Sequence, residues 1–389
     1  MTVETYQSLV DRGWRRSGDL FYKPDVLRAC CPHYTIRLQA ASFKPSRDQR
    51  QAINRWNKHV LGDSYARKVA EKFPKTKILI EHVHEGELSH LKPVEPAHRF
   101  EVTMTPDDFT EEKFQLYRNY QMHVHHDKEG EITETSFKRF LCGSPLQRRK
   151  TTVNGTEKPL GSYHQCYRLD GRLVAMSVLD LLPHTVSGVY FLYHSDFAKW
   201  SFGKLSALRE ISLAVEGQYG YYYMGYYIHN CTKMRYKSDY KPQSILDPIT
   251  YQWHSMEDFK PRLDQEKFVS LDPAAVSSRN DQQKDNVSFR GPDGRPWKYR
   301  SASEASDSRQ SLFKIRMPGV PPATQLQREI DLDTICVSLG KSMTYRTQDL
   351  VSWDEDPDIS HSTLRGAIAE LAACVGPEVA KSMAVDFGR

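Results

Sequence analysis

Two β-rich segments, a helix and an aromatic segment follow one another between residues 172 and 227, and they constrain the fold more than any other part of the chain. The segments RLVAMSVLDLL and VSGVYFLYH are rich in branched and aromatic residues, and a short turn around Pro183 joins them, which predicts a β-hairpin. The next segment, FGKLSALREISLAVEG, has apolar residues at helical spacing. The aromatic segment YYYMGYY then favours a further strand.

Two helices are predicted before this β-β-α-β order. Thr105–Asp108 is typical of a helix start, because threonine suits the N-cap and proline the first helical position. Phe114 and Tyr117 recur at helical spacing after it, and a second short helix is predicted around Phe137. We predict that the polar stretch 147–161, which precedes the strands, is a loop.

The order helix, helix, strand, strand, helix, strand resembles the core of GNAT-type acyltransferases. We therefore expect an α/β (α+β) chain with a bilobed GNAT-like acyltransferase fold, in which helices flank a mixed β-sheet. In the N-terminal part, HYTIRLQA and KILIEHV are both predicted to be strands.

Four domains are expected along the chain. They are an N-terminal basic lobe (1–104), a GNAT-like catalytic domain (105–265), a flexible low-complexity insertion (266–312), and a C-terminal extension that packs on the catalytic domain (313–389). The insertion is predicted because residues 270–310 are rich in Ser, Asp, Asn, Gln and Arg and have few apolar side chains.

Charge is unevenly distributed in this chain of 389 residues with a net charge of +5. Residues 1–77 contain 16 Lys and Arg but 7 Asp and Glu. This excess predicts a face that binds a polyanion, with a solvated basic surface as the alternative. No apolar run approaches the ~20 residues that span a membrane, so we expect no membrane association. Seven cysteines, an odd number, fit reduced thiols and a location in the cytoplasm and nucleus.

Several spaced blocks of sequence are similar to one known family. The blocks are DRGWRRSGDLFYKP, CCPHYTIRL, NYQMHVHHD, FKRFLCGSPL, GSYHQCYRLDGRLVAMSVLDLLP, SALREI and YYYMGYYIHNCTKMRYKSDYKP. In this order they resemble the signatures of eukaryotic, fungal-like arginyl-tRNA–protein transferases, over roughly residues 1–50 and 105–255.

The resemblance implies an enzyme that moves arginine from Arg-tRNA to the α-amine of proteins beginning with Asp or Glu. The product carries an N-degron, a signal for ubiquitin-dependent degradation. The implied partners are Arg-tRNA and acidic acceptor proteins, and we expect a monomer. The alternative is a non-catalytic tRNA-binding or regulatory protein that retains the fold.

A coenzyme A acetyltransferase is a competing enzyme class with the same fold. Such enzymes bind a pyrophosphate on the backbone amides of a glycine-rich loop before the central helix. Here that loop reads YHSDFAKWSFGK and contains a single glycine, Gly203, among bulky aromatic residues. The sequence therefore disfavours coenzyme A.

Arginyl transfer starts from an activated ester, so the chemistry needs orientation and charge stabilisation rather than a nucleophilic side chain or a cofactor. Tyrosine hydroxyls can donate hydrogen bonds to the oxyanion or to the leaving ribose oxygen. We assign the catalytic role to four residues: Tyr223, Tyr226, Lys237 and Asp180. Asp180 is expected to read the guanidinium of the transferred arginine. The alternatives are sheet packing for the tyrosines, a solvated loop for the lysine and a strand-end cap for the aspartate.

Five further residues are assigned to substrate binding. Glu210 is a second candidate for reading the guanidinium, with an exposed helix acid as the alternative. His164 and Gln165 are candidates for positioning the incoming amine, and a structural histidine is the alternative for the first. Lys233 and Arg235, with Lys237, are expected to hold the acceptor's acidic side chain or tRNA phosphates.

The N-terminal signature interleaves cations with aromatic rings, a composition that suits the phosphates and unpaired bases of a tRNA end. The cations assigned to tRNA binding are Arg12, Arg15, Arg16, Lys23 and Arg37.

Cys30 and Cys31 match a cysteine pair that, in the resembled family, joins an upstream C-x-x-C motif to bind zinc or an iron–sulfur cluster. This chain contains no C-x-x-C and begins at a point that follows the motif in such proteins. We therefore expect that the chain lacks the extreme N-terminus and that the two cysteines are half of a metal site, which binds no metal. His123, His125 and His126 are interpreted as surface histidines because no cysteine lies at metal-binding spacing from them.

Overall fold

The structure is a computed structural model that describes residues 1–72, 78–90, 94–272, 311–338, 343–353, 359 and 363–386, without the side chains of 70–72. The chain forms two compact units. The first comprises Met1–Pro24, His33–Leu246 and Trp253–Pro261, and the second comprises Asp25–Pro32, Asp247–Gln252 and Arg262–Arg389. Among the described residues, no helix is both long and apolar enough to cross a membrane.

The first unit is built on one large sheet. A small separate hairpin of β1 Arg15–Ser17 and β2 Leu20–Tyr22 precedes this sheet. The strands of the large sheet are β3 Tyr34–Gln39, β4 Phe100–Pro106, β5 Arg149–Val153, β6 Thr156–Leu169, β7 Arg172–Leu182, β8 Thr185–Tyr193, β9 Tyr221–Tyr223, β10 Tyr226–Tyr227, β11 Gln243–Leu246 and β12 Trp253–Ser255. The order across the sheet is β12-β11-β3-β9-β8-β7-β6-β4, with β10 paired to β3 and β5 to β6. The β8–β9 pair is parallel, whereas its neighbours are antiparallel.

The described helices of this unit are α1 Val3–Val10, α2 Arg47–Lys72 (interrupted at Gly62), α3 Leu79–His84, α4 Glu111–Tyr120, α5 Glu134–Phe137, α6 Phe202–Glu216, α7 Thr232–Arg235 and α8 Met256–Leu263, whose last two residues belong to the second unit. The π-helical turns Gln121–His125 and Lys138–Cys142 continue α4 and α5. Short 3₁₀ turns lie at Ala40–Ser42, Leu88–His90, Glu129–Glu131, Ser195–Trp200 and Tyr236–Asp239.

The two main helices cover opposite faces of the sheet. Met176 and Val178 of β7 belong to the apolar cluster that contains Phe114 of α4. Ser177, between them, hydrogen-bonds to Glu210 of α6 instead. Side chains alternate along a strand, so α4 and α6 pack on different faces. The predicted mixed sheet flanked by helices is therefore confirmed, as are the β7–β8 hairpin and helix α6.

The described part of the second unit contains a small sheet and three helices. The strands are β13 Cys336–Ser338, β14 Thr344–Arg346 and β15 Ala384–Asp386, in the order β14-β13-β15. The helices are α9 Ala323–Glu329, α10 Leu364–Val375 and α11 Pro377–Ala380, with 3₁₀ turns at Leu332–Thr334 and Thr347–Asp349. Residues 273–310, which hold most of the predicted insertion 266–312, lie outside the described residues. The expected packing of 313–389 on the catalytic domain stays a prediction.

Strand β3 links the first two predicted domains. It comes from the predicted lobe 1–104, yet it lies between β9 and β11 of the predicted catalytic domain, with Leu38 opposite both Tyr222 and Gln243. Residues on both sides of position 104 thus build one sheet, and they fall in one compact unit.

The prediction that the stretch 147–161 is a loop is wrong. The stretch forms the hairpin of β5 and the start of β6. Asn154 and Gly155 form the turn with φ of 49° and 79°, values that asparagine and glycine tolerate best. Most side chains of β5 are exposed, so its polar composition reflects an edge strand.

Two further predictions in this region of the chain are wrong. Helix α4 begins at Glu111, where Thr110 caps it by accepting a hydrogen bond from the Lys113 amide, and Pro106 instead ends strand β4. The predicted strand KILIEHV is helix α3 where it is described. Helix α3 packs on α6, and this tertiary contact outweighs the β-propensity of its isoleucine and valine.

Candidate functional site

The parallel strands β8 and β9 separate at the centre of the sheet. Their pairing covers Thr185–Ser187 and Tyr221–Tyr223, after which β8 continues to Tyr193 without β9. Gly225 divides the predicted aromatic strand into β9 and β10, and its φ of 77° is a left-handed conformation that suits glycine. The tyrosine stretch therefore lies where the sheet opens, a position at which α/β sheets commonly bind ligands.

Tyr223 is fully buried, and its hydroxyl donates a hydrogen bond to the carboxylate of Asp11. Arg37 Nη1 lies 3.5 Å from the same hydroxyl oxygen. Burial and the Asp11 charge raise the pKa of Tyr223 far above its usual range, so the hydroxyl remains a proton donor. Asp11 also accepts a hydrogen bond of 3.0 Å from Gln7 Nε2.

Tyr226 is buried beside the N-terminal signature. Its hydroxyl donates to the Gly13 carbonyl oxygen at 2.8 Å, and the guanidinium carbon of Arg15 lies 5.0 Å from its ring centroid. Burial raises the pKa of Tyr226, and it too stays protonated. His33 packs edge-on against the ring, with 5.5 Å between the ring centroids.

Lys237 is 8% exposed, and its Nζ donates to the Tyr226 carbonyl oxygen at 2.8 Å. Burial, the larger cause, and the nearby charge of Arg15 together lower the pKa of Lys237 to about 8. Lys233 and Arg235 are exposed on α7. Of the three predicted cations in this segment, Lys237 is therefore the one that the fold brings against the tyrosines.

The five predicted tRNA-binding cations have different environments. Arg15 and Arg37 lie with the tyrosines, and the Arg37 guanidinium carbon is 4.0 Å from the ring centroids of both Tyr221 and Trp253. Arg12 and Lys23 are partly exposed. Arg16 is 5% exposed and bound within the protein, so it is not available to tRNA phosphates.

Asp180 is the carboxylate that binds Arg16. Arg16 Nε and Nη2 contact the two oxygens of Asp180 at 2.8 and 2.7 Å, and Ser162 Oγ donates to Oδ1 at 2.6 Å. Asp180 is fully buried. The prediction that Asp180 reads the transferred arginine is not supported, because an internal guanidinium already occupies both of its oxygens.

Glu210 is 3% exposed, so it is not the exposed helix acid of the alternative interpretation. Ser177 Oγ donates to Oε1 at 2.7 Å and Tyr222 donates to Oε2. Burial raises the pKa of Glu210 to about 7 although these hydroxyls favour its charged form. A methyl group at Gly188 of β8 would lie 3.3 Å from Oε2 and 3.7 Å from the Tyr223 carbonyl oxygen, which places this carboxylate at the opening between β8 and β9.

His164 and Gln165 are both buried in β6 and point to opposite faces. His164 Nε2 lies 2.9 Å from the Leu141 carbonyl oxygen, and burial lowers the pKa of His164 to about 3, so it is neutral at physiological pH. This contact favours the structural interpretation. Gln165 accepts a hydrogen bond of 2.8 Å from Tyr167 and pairs in register with Ser177, so it extends the polar network of Glu210.

The predicted half metal site does not fit zinc or an iron–sulfur cluster. Cys30 and Cys31 are exposed and adjacent, and two thiols are half of the four ligands that such groups need. In the part of the chain that the structure describes, one group has metal-ligand atoms within 4.8 Å of one another: His84, Glu87 and His90. It includes none of the predicted cysteines or surface histidines, and Arg209 pairs with Glu87 inside it.

Two family models match the chain in the segments that build the site. The N-terminal domain of arginine-tRNA-protein transferase matches residues 1–51, which contain Asp11, Arg15 and Arg37. The C-terminal domain of the same family matches residues 112–247, which contain Tyr223 and Lys237. This chain belongs to the arginyl-tRNA–protein transferase family.

Several curated proteins are similar to this chain. Arginyl-tRNA–protein transferase 1 of Arabidopsis thaliana is 42% identical over 186 residues, which are 46% of this chain and 29% of that protein. The Saccharomyces cerevisiae protein of the same name is 33% identical over 263 residues, 64% of this chain and 50% of the relative. The aspartate/glutamate leucyltransferase of Pseudomonas putida is 31% identical over 255 residues, 65% of this chain and 83% of the relative. The chain thus spans half or less of the first two proteins.

Membership of the arginyl-tRNA–protein transferase family confirms the resemblance seen in the sequence. Three site features were not predicted: Asp11 as the partner of Tyr223, the Arg16–Asp180 pair, and the Ser177–Glu210–Tyr222 network. Asp11 stands in the quoted block DRGWRRSGDLFYKP, and the family match is the signal that could have identified it.

Proposed function

We propose that this chain transfers arginine from Arg-tRNA to the α-amino group of proteins that begin with Asp or Glu, and so creates an N-degron. It acts as a monomer in the cytoplasm and nucleus, and the reaction requires no metal or cofactor. Family membership supports the reaction type, and the site supports the recognition of two oppositely charged groups, the guanidinium of the arginyl group and the carboxylate of the acceptor.

The convergence of the two matched segments on one site is the observation that carries this proposal. Tyr223 of the C-terminal segment bonds to Asp11 of the N-terminal segment, and Tyr226 bonds to Gly13. Arg37, which lies beside Tyr223, is 186 positions distant from it in the chain. A fold that brings these residues together concentrates hydroxyl donors and cations at one point, as transfer from a polyanionic donor requires.

The proposed reaction forms one bond and breaks one. The acceptor's α-amine attacks the carbonyl carbon of the arginyl ester, the new C–N bond forms, and the C–O bond to the ribose breaks. The amine loses a proton and the leaving ribose oxygen gains one. Tyr223 and Tyr226 remain protonated, so each hydroxyl can stabilise the negative charge on these oxygens once it exchanges its present acceptor, Asp11 for Tyr223 and the Gly13 carbonyl oxygen for Tyr226.

Glu210 reads the guanidinium of the arginyl group in this proposal. Its described partners are uncharged hydroxyls of Ser177 and Tyr222, so this buried carboxylate has no cation of its own among them. A buried charge is costly unless it is paired. An arginine side chain that enters between β8 and β9 supplies the missing cation with bidentate geometry.

A transfer assay tests the proposal. The purified chain is incubated with tRNA charged with labelled arginine and with a peptide that begins with Asp. The expected result is label on the peptide, at a rate that depends on the chain's concentration. Binding of tRNA without label on the peptide would instead support the alternative, a non-catalytic tRNA-binding protein.

A further inference from the structure

Two adjacent arginines in β1 are equally buried but have different partners. Arg16 is neutralised by Asp180. Arg15 is 7% exposed, and its Nη1 donates to the carbonyl oxygens of Trp14 at 2.7 Å and Val10 at 3.4 Å. Its Nε and Nη2 are buried and have no hydrogen-bond acceptor among the described residues.

Lys237 adds a second buried cation at the same place. Its ammonium has a carbonyl oxygen as its hydrogen-bond acceptor, and Arg15 is close enough to lower the pKa of Lys237 further. The described contacts of these two cations include no carboxylate. Two positive charges in a water-poor site repel each other and lose hydration, which is costly unless an anion joins them.

Space for such an anion lies beside Gly225. A Cβ atom placed on Gly225 would lie 3.7 Å from Lys237 Nζ. Apart from the two chain neighbours of Gly225, no other described atom would lie within 4 Å of that Cβ. The glycine therefore leaves a gap that faces the ammonium. Asp11, the carboxylate of this region, is already engaged by Tyr223, Gln7 and His184.

We propose that Arg15 and Lys237 bind the side-chain carboxylate of the acceptor's N-terminal Asp or Glu. This inference rests on the proposed function and assigns its acceptor specificity to two residues. A carboxylate fits better than a tRNA phosphate because both cations are more than nine-tenths buried, so the site accommodates one small side chain and not a nucleic-acid backbone. The exposed Lys233 and Arg235 are better placed for phosphates.

The test compares two peptides that differ only in their first residue, Asp or Asn, with the intact chain and Arg-tRNA. We measure kcat/KM for both peptides with the wild type, Lys237→Met and Arg15→Lys. The Asp/Asn ratio should fall about tenfold or more in Lys237→Met, since each 1.4 kcal/mol of lost binding is a factor of ten. Transfer to the Asn peptide should fall by a smaller factor, because its first side chain carries no charge for Lys237 to pair with. In Arg15→Lys the ratio should fall less, because a cation remains without the planar fork.

Lys241→Met is the matched control, because Lys241 is an exposed lysine of the same segment that pairs with Glu257. It should keep the wild-type ratio. An unchanged ratio in Lys237→Met, with weaker binding of Arg-tRNA, would overturn the inference and identify a phosphate site.

A second measurement separates this inference from the proposed function. Fluorescence anisotropy of labelled Asp and Asn peptides, without tRNA, reports binding alone. The wild type could bind the Asp peptide more tightly than the Asn peptide, with the difference lost in Lys237→Met, and yet transfer no arginine. That result would support the anion site and refute the proposed transfer reaction. Equal binding of the two peptides by the wild type would refute the anion site.

Discussion

Arg16 and Asp180 form a buried bidentate ion pair although 164 positions separate them in the chain. Both side chains are nearly inaccessible to water, and Ser162 donates a third hydrogen bond to the carboxylate. The pair joins strand β1 of the N-terminal signature to strand β7 at the centre of the sheet. Its geometry assigns it to the architecture of the site and not to substrate contact.

Removing one partner of this pair should be strongly destabilising. In Asp180→Asn the buried guanidinium loses its counter-charge, so we expect the free energy of unfolding to fall by about 3–5 kcal/mol. Urea titration followed by circular dichroism measures this change. The double variant Arg16→Met with Asp180→Leu should regain most of the loss, because an apolar pair leaves no buried charge. A loss below about 1 kcal/mol in Asp180→Asn would show that water reaches the pair.

Local sequence patterns were sufficient to predict the central elements of the fold. The β7–β8 hairpin and α6 lie in continuous segments whose residue spacing shows their buried face. Strand β5 was missed because edge strands expose polar side chains, which look like loop composition. Helix α3 was missed because its packing partner, α6, is more than a hundred residues later.

The site could be predicted only in part for a similar reason. Tyr223, Tyr226 and Lys237 could be named as candidates, because they stand in one segment of unusual composition. Arg15 and Arg16 are indistinguishable in the sequence, and their difference depends on one distant carboxylate. No spacing rule connects residues that meet only through the sheet.

Glu210 predicts how stability depends on pH. Its pKa in the folded chain is about 7, above its ordinary value of 4.5, so the folded state holds this proton when the unfolded chain has lost it. The stabilisation is complete below about pH 4.5 and is lost as pH rises through about 7. We expect the free energy of unfolding of wild type, relative to Glu210→Gln, to fall by on the order of 3 kcal/mol between pH 4.5 and 7.5.

Urea titrations of both proteins across this range measure the effect. Ser212→Ala, which changes a buried α6 side chain two residues further along the helix, serves as the control and should leave the pH slope unchanged. If the difference in free energy of unfolding between wild type and Glu210→Gln does not vary with pH, Glu210 has a cationic partner in the free protein. That result would contradict the proposal that the guanidinium of the substrate supplies this cation.

Tyr226→Phe should separate catalysis from folding. The variant loses one hydrogen bond to the Gly13 carbonyl oxygen, which costs about 1 kcal/mol of stability. Loss of a hydroxyl that stabilises developing charge costs about 10²–10³ in kcat. Tyr219→Phe is the matched control, because Tyr219 is a buried tyrosine whose hydroxyl donates to the Pro159 carbonyl oxygen. Similar turnover in the two variants would return Tyr226 to a packing role.

The affinity for tRNA should fall steeply with salt. Helix α2 exposes Arg47 and Arg55 in the basic N-terminal part of the chain. Each phosphate contact contributes about −0.7 to −0.9 to the slope of log K against log salt. The double variant Arg47→Ala with Arg55→Ala removes two expected phosphate contacts and should reduce the magnitude of this slope by about 1.4 to 1.8. Filter binding from 50 to 300 mM KCl measures the slope, and an unchanged slope would exclude Arg47 and Arg55 from the tRNA interface.

Strand β3 has a consequence for biosynthesis. It pairs with β9 on one side and β11 on the other. Because β9 and β11 are synthesised much later than β3, the strand has neither neighbour when it is made. During translation the ribosome must extend the chain past Leu246 before β3 can have both neighbours. Until then the nascent polypeptide exposes two unpaired edges of an apolar strand, a state that invites aggregation. Closure of the sheet is therefore a late step that depends on contacts between distant parts of the chain. We expect that a chaperone bound to the nascent chain would reduce aggregation until the sheet has closed.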